Sequence, residues 1–382
     1  MTVVDITAPP EVKRKTIAEF VNEYPRLRQI KNPGKLMKAL SKETNLSLAQ
    51  IVSILVEEEQ EIILDDMDPE LLLYDWNFWG RPSQIPPDDG VWTIFAYVAG
   101  RGTGKTRAGA EWCHKMAMKY PGCRIALVAR TAADTRDTMV LGESGIAYVG
   151  HPDDRPSYKP SLRSVVWPNG SQATLFSADV PDQLRGPQFH YAWADEAAAW
   201  KHNIDDSGLS TWDNVNFATR LGEHPQKFVT TTPKRTKFMF DLLESAEEKP
   251  EKVLIARGST AENAGNLSED YLQDIYEKYH GTRLAEQELH GLMMTNVEGA
   301  LWNDDLINRG RIFTPPGQAA PNPSLKVIAV DPTVAEQPTD ECGIIVAGAT
   351  RHRRLVKRHA YIIEDLTVKG DPSVWAQAVC DA

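Results

Sequence analysis

Eight residues, Ala99-Gly100-Arg101-Gly102-Thr103-Gly104-Lys105-Thr106, constrain this chain more than any other stretch. They stand between a run of strand character, 92–98, and a run of helix character, 107–118. A Gly-rich turn in that position lets backbone N–H groups converge on phosphate oxygens, and the following helix adds the positive end of its dipole. In that frame Gly100, Gly102, Thr103 and Gly104 shape the cradle and Lys105 reaches the terminal phosphates. Thr106 would place its hydroxyl on Mg²⁺. Ala99 stands where the usual pattern has its first glycine, so a larger residue must fit that turn. The plain alternative is a Gly-rich turn ahead of a surface helix.

A phosphate loop needs an acidic partner, and Tyr191-Ala192-Trp193-Ala194-Asp195-Glu196 is an apolar strand ending in two carboxylates. Beside the loop, Asp195 would hold Mg²⁺ through its water shell, and Glu196 would polarise the water that attacks a γ-phosphate. Side chains alternate along a strand, so the strand must end at Asp195 for both acids to serve one site. Otherwise the pair simply opens the next helix, where acids suit the dipole. Further on, Phe228-Val229-Thr230-Thr231-Thr232-Pro233 is a strand ending in hydroxyls that could sense a γ-phosphate; threonines are also good strand formers. Upstream, the Gln84 amide could pair with an adenine edge, donating and accepting at once. The aromatics Trp76, Phe78 and Trp79 read mainly as packing. Arg101 could neutralise charge building on the γ-phosphate, or make a structural ion pair.

At 382 residues the chain is long enough for two or three cores. Hydrophobic residues at 42% and charged residues at 25% are the proportions of a soluble globular protein. No run is long and apolar enough to span a bilayer, and no signal-peptide pattern is read at the amino terminus. Cys113, Cys123, Cys342 and Cys380 lack metal-site spacing and read as small apolar residues in a reducing compartment. A net charge of −11 argues against a passive nucleic-acid coat, so contact with DNA would use local patches. Arg351, Arg353, Arg354, Lys357 and Arg358 form the densest basic run, readable as a DNA contact or as a solvated hairpin.

Residues 1–61 read as a small helical region, with helices at 16–24, 35–40 and 48–59, the last capped by Ser47. Its short helices suggest a docking or bracing module more than a helix-turn-helix. From 92 to 253 strands alternate with helices. Strands are expected at 92–98, 124–128, 164–167, 172–177, 191–194, 228–231 and 252–257, with helices at 109–119, 132–140 and 213–219. That alternation predicts an α/β domain with a mostly parallel sheet. A Pro- and Gly-rich linker, 314–323, leads to strands at 326–330, 343–349 and 355–363 and a helix from 372. This β-β-β-α order is the one that opens an RNase H-like domain.

Taken together, these residues resemble the large terminase subunit of tailed bacteriophages and gene-transfer agents, over 64–382. The resemblance rests on Phe78-Trp79-Gly80-Arg81-Pro82, the run from Gly100 to Trp112, Leu184-Arg185-Gly186-Pro187-Gln188, Ala194-Asp195-Glu196 and Thr230-Thr231-Thr232-Pro233. Gly281-Thr282-Arg283-Leu284 and Val297-Glu298-Gly299-Ala300-Leu301-Trp302 add to it. It implies a P-loop ATPase domain over 62–313, preceded by the helical region, and after the linker the incomplete start of an RNase H-like nuclease at 324–382. By the same resemblance Lys105 and Thr106 bind ATP with Mg²⁺, and Glu196 is the catalytic carboxylate. Thr230, Thr231 and Thr232 lie in the coupling motif, and Gln84, with Arg81 nearby, reads adenine.

Asp331, at the end of a strand in Ala329-Val330-Asp331-Pro332, matches a nuclease carboxylate for Mg²⁺ or Mn²⁺. Two-metal cleavage takes several carboxylates. Asp340 and Glu341 read as loop acids, so the chain as given is expected to hydrolyse ATP and to cleave DNA poorly. The implied activity is ATP-driven translocation of double-stranded DNA into a procapsid by a homo-oligomeric ring on a portal protein, with a small terminase subunit as partner. The implied setting is the bacterial host's cytoplasm, with transient docking on the procapsid and no membrane. Two other readings stay open: another P-loop helicase or translocase, and an assembly subunit switched by nucleotide without hydrolysis. No Asn-Lys-x-Asp segment for guanine recognition is present.

Overall fold

Burial on both faces is what the apolar central strands require, and the fold follows from it. The computed structural model describes residues 14–279 except 66, 89, 90 and 202, and beyond them 289, 291, 309–310, 312, 323, 325–332, 342–350, 359–368 and 370–382. The phrases at 281–284 and 297–302, the expected linker save residue 323, Asp340, Glu341 and the basic run at 351–358 lie outside the described residues. The chain divides into two compact units, Met1–Ala300 and Leu301–Ala382.

The first unit is built on eight strands: β1 Ile94–Ala99, β2 Arg124–Ala129, β3 Ser157–Lys159, β4 Ser164–Val166, β5 Gln172–Ser177, β6 Tyr191–Asp195, β7 Gln226–Thr231 and β8 Val253–Gly258. Their order across the sheet is β3-β4-β5-β2-β6-β7-β1-β8. The ladders from β5 to β8 are parallel, and only β3-β4 and β4-β5 are antiparallel. β6, β7 and most of β1 and β2 are buried on both faces, as parallel strands sandwiched between helices must be.

One face carries a large aromatic core in which Trp112 of the helix Lys105–Lys119 packs with Phe228, Tyr191 and Trp92. Two smaller clusters cover the other face, one under the helix Lys237–Glu248 and one under Thr211–Ala218. The strand expectations hold except that β3 is additional. Its three residues, Ser-Tyr-Lys, carry too little pattern to announce a strand. The helix expected at 132–140 is a single α-turn, Ala132–Asp134, that widens into a π-helix over Thr135–Val140.

Before the sheet lies a helical module whose core joins Phe20, Leu27, Leu40, Ile51, Leu55 and Phe78, so it reaches beyond residue 61. Thr16 and Ser47 close capping boxes, and Asn32 caps Pro33–Thr44. The helix expected over 48–59 is two, Leu48–Ile54 and Glu57–Asp65. It breaks where Lys15 forms a bridge with Leu55: the Lys15 N–H donates to the Ile54 carbonyl and the Val56 N–H to the Lys15 carbonyl. Those bonds replace the intrahelical ones, a tertiary choice that apolar periodicity does not display.

The second unit holds an antiparallel sheet of β9 Leu325–Asp331, β10 Gly343–Thr350 and β11 His359–Asp365, with β10 central. The helix Pro372–Asp381 follows, capped by Asp371. Asp331 ends β9, opposite Gly343.

One glycine sets the distance between helix and sheet. A Cβ built on Gly109 would fall 2.1 Å from the indole of Trp193, which is fully buried in β6. Gly109→Ala should therefore destabilise the protein by about 1–2 kcal/mol, the overpacking cost exceeding the roughly 1 kcal/mol gained in helix propensity. Urea unfolding should show a lower midpoint with an unchanged slope.

Candidate active site

Sheet order brings three strand ends to one place. β7 lies between β1 and β6, so the segment after Thr230 runs between the loop that follows β1 and the acids that end β6. Residues 101–106 of the loop, Asp195, Glu196 and Thr232 all line one cleft of about 1230 Å³.

The loop is shaped from both sides. Ala99 fits because it still belongs to β1, paired with Gly258 and fully buried, so its methyl packs in the core. Gly104, which precedes the helix, has φ 79° and ψ 29°, a left-handed conformation that glycine adopts without steric cost. The Thr103 hydroxyl donates to the Gly100 carbonyl at 2.8 Å. The Lys105 ammonium, buried at the cleft floor, donates to the carbonyls of Ala99 (3.1 Å) and Gly100 (2.9 Å) and to Thr232 Oγ1 (3.1 Å). Thr106 and the exposed Arg101 also line the cleft.

β6 ends at Asp195, and Glu196 takes φ 49° and ψ 41°. A left-handed residue costs an L-amino acid roughly 1–2 kcal/mol. Here it reverses the alternation that would have sent the two carboxylates to opposite faces. Glu196 Oε1 then lies 3.4 Å from Lys105 Nζ, and its Oε2 accepts the Thr232 N–H at 3.1 Å. The Thr232 hydroxyl donates to Glu196 Oε1 at 3.4 Å while accepting from Lys105. Thr231 Oγ1 accepts the Ala198 N–H at 3.1 Å, which anchors the turn after Glu196. Trp193 Nε1 donates to Thr230 Oγ1 at 2.8 Å, and that hydroxyl donates to Asp195 Oδ1 at 2.6 Å. Each of the three threonines thus has a defined partner among the carboxylates, the lysine or the turn.

Arg81 and Gln84 sit beneath the loop, both buried. Gln84 Nε2 donates to the carbonyls of Thr103 (3.1 Å) and Gly104 (3.4 Å), and its Oε1 accepts the Arg81 N–H at 2.9 Å. The amide expected to face an adenine edge is therefore turned to the loop. Arg81 Nη2 donates to the Thr103 carbonyl at 2.6 Å and Nη1 to Asn263 Oδ1 at 2.9 Å. Of the aromatics, Phe78 is buried in the helical module, while Trp76 and Trp79 line the cleft and the Arg107 guanidinium lies 5.7 Å from the Trp76 ring.

A segment that sequence reading passed over closes the loop from above. Asn263 Nδ2 donates to the Gly102 carbonyl at 2.6 Å, Thr260 Oγ1 to the Arg101 carbonyl at 2.7 Å, and the Leu267 side chain lies against Gly102. These residues follow β8, and nothing in their local pattern signals the contact. Asp331 belongs to the second unit.

A phosphate loop with two acids gathered beside it by a parallel sheet defines a P-loop nucleotide hydrolase. Residues 96–309 of the 382 match the family described as terminase large subunit, T4likevirus-type, N-terminal. The chain belongs to that family, and so is a large terminase subunit, a motor ATPase subunit for packaging phage DNA. It is similar to the large terminase of a thermophilic bacteriophage in complex with ADP, at 12% identity over 82% of this chain and 72% of that one, with a TM-score of 0.45. The ATPase domain of the Thermus phage P74-26 large terminase aligns at 13% identity over 62% of this chain and 98% of that domain, with a TM-score of 0.41. For the HK97 bacteriophage large terminase the values are 14%, 79%, 67% and 0.45. No curated protein matches the chain. Among the described residues no helix is long and apolar enough to cross a membrane.

Burial, and next the neighbouring Glu196 charge, hold the Asp195 carboxyl up at about 7 against an ordinary 3.8; the Thr230 hydrogen bond and Lys105 offset this in part. Between those two pH values the folded protein keeps a proton that the unfolded chain has released. This group's contribution to stability therefore falls as pH rises from about 4 to about 7. Asp195→Asn removes the ionisation, so urea unfolding at pH 5 and pH 8 should show a smaller stability loss in the variant than in the wild type.

Proposed function

We propose that this chain hydrolyses ATP at the Lys105 cleft and couples each hydrolysis to translocation of double-stranded DNA. The observation that carries the reading is the left-handed turn at Glu196, which brings two adjacent carboxylates, a lysine and the end of β7 to one cleft. Gly100, Gly102, Thr103 and Gly104 would cradle the phosphates with backbone N–H groups, Lys105 would neutralise the terminal ones, and Arg101 would meet charge developing on the γ-phosphate. Glu196 would orient and polarise the attacking water.

Mg²⁺ fits the residues present. Asp195 is a buried carboxylate that its surroundings keep partly protonated, and Thr106 adds a hydroxyl to the same cleft, a hard-oxygen donor set. When bound there, Mg²⁺ would neutralise the β- and γ-phosphate oxygens.

Thr230, Thr231 and Thr232 are the proposed coupling residues, since the same hydroxyls touch Asp195, the turn after Glu196, and Lys105. A change in what Lys105 and Glu196 hold is thereby felt at the end of β7. Arg81 and Gln84 support this machinery from beneath the loop. The proposed organisation is a helical module that extends past the expected residue 61 to about Phe78, the ATPase domain from there to 313 and, after the linker, a nuclease region at 324–382. Asp331 is its proposed first carboxylate for Mg²⁺ or Mn²⁺. The proposed partners are duplex DNA, a portal protein on the procapsid, a small terminase subunit and further copies of this chain in a ring, in the host cytoplasm.

Steady-state ATP hydrolysis by the full chain, with and without duplex DNA, tests this. Lys105→Ala should lose nucleotide binding. Glu196→Gln should still bind ATP while turnover falls by about 10²-fold or more. Wild-type turnover in Glu196→Gln would remove that residue from the mechanism, and binding without turnover in the wild-type chain would favour a nucleotide-operated assembly switch.

A further inference from the structure

Asn45 of the helical module reaches the two segments that hold the phosphate loop. Asn45 ends the helix Pro33–Thr44 in a left-handed conformation, φ 55° and ψ 23°. Both ends of its amide are engaged outside the module. Oδ1 accepts the Ser83 N–H at 2.9 Å, and Nδ2 donates to Glu262 Oε2 at 2.9 Å. Gln50 adds a weaker bond to the Glu262 carbonyl at 3.3 Å.

Ser83 and Glu262 each stand next to residues that grip the loop. Ser83 lies between Arg81 and Gln84, which hold the Thr103 and Gly104 carbonyls. Glu262 precedes Asn263, which holds both Arg81 and the Gly102 carbonyl. Arg81 Nε is buried with no hydrogen-bond partner, and it lies 3.9 Å from the same Glu262 Oε2 that Asn45 holds. Ser259 holds the other oxygen, Oε1, through its N–H and hydroxyl, so the amide from the module fixes the oxygen that faces the buried guanidinium.

We propose that Asn45 is a positioning residue for nucleotide binding: it ties Ser83 to Glu262, and so makes the helical module part of the clamp by which Arg81 and Asn263 set the shape of the phosphate loop. This rests on the reading of that loop as the ATP site. Two segments that hold the loop, one ahead of β1 and one after β8, have no covalent reason to keep a fixed spacing. Asn45 bridges them. Without the bridge Glu262 keeps only the cap contacts that its Oε1 makes with Ser259, so its Oε2 is no longer held opposite Arg81, whose charge is then less well compensated. Ground-state binding of nucleotide should suffer most, because Glu196 and Thr232 are not in the relay.

Asn45→Gly tests this cleanly, since glycine keeps the left-handed backbone and only the amide is lost. In the full chain, the Kd for a fluorescent ATP analogue and the KM for ATP should rise about three- to tenfold, with kcat within about twofold and the thermal midpoint essentially unchanged. Glu262→Gln keeps an acceptor for Asn45 and removes the charge that Asn45 holds opposite Arg81; it should raise Kd similarly, and the double variant should add little, because Asn45 acts through that charge. Wild-type Kd and KM in Asn45→Gly would overturn the proposal. Should its midpoint fall as well, a wild-type Kd in Glu262→Gln would do the same. Lys105→Ala, measured beside them, separates the two readings. If it loses binding while Asn45→Gly is unaffected, the ATP site stands and the relay fails. If it binds as tightly as wild type, the loop is not the ATP site and both readings fall.

Discussion

The site depends on a single backbone reversal at the end of β6. A strand offers neighbouring side chains to opposite faces, so adjacent carboxylates cannot both serve one cleft while the strand continues. Glu196 escapes that rule by entering a left-handed conformation immediately after Asp195. The surroundings hold it there. Thr232 binds its carboxylate through both backbone N–H and hydroxyl, and Thr231 secures the N–H of Ala198 two residues on. Strain at this residue is thereby balanced by hydrogen bonds from β7, the strand that also meets the phosphate loop.

That arrangement gives the sheet order a chemical meaning. Because β7 lies between β1 and β6, its last residues touch both Lys105 and the two acids. Thr230 serves Asp195 and, through Trp193, is tied to the helix whose Gly109 allows close approach. Thr232 serves Lys105 and Glu196 together. Carboxylates, phosphate loop and aromatic core are therefore one hydrogen-bonded and packed system. A displacement of any of its charged members has to be accommodated at the end of β7.

The features legible in sequence are those written in contiguous residues. The loop at 99–106, the acid pair at 195–196 and the threonines at 230–232 each carry their chemistry in a few neighbouring positions. Even the need for β6 to stop at Asp195 follows from alternation alone. The illegible features are contacts between distant segments. Nothing near Asn45, Glu262 or Asn263 marks them as supports of the loop, since Asn45 and Glu262 stand far apart in the chain and meet only after the module docks. The same holds for the helix break at Leu55, where a bridge to Lys15 overrides an unbroken apolar period. Gln84 does stand at the loop, but the partner its chemistry suggests is a base, whereas the structure gives its amide to the loop.

Thr232 joins Lys105 to Glu196, the proposed hydrolytic carboxylate, through its hydroxyl. The most direct measurement compares single-turnover ATP hydrolysis in Thr232→Ser, which keeps the hydroxyl, with Thr232→Val, which keeps the shape. The account predicts that Thr232→Ser stays within a few-fold of wild type, while Thr232→Val binds ATP almost normally and hydrolyses it at least about tenfold more slowly. Equal rates in the two variants would contradict it.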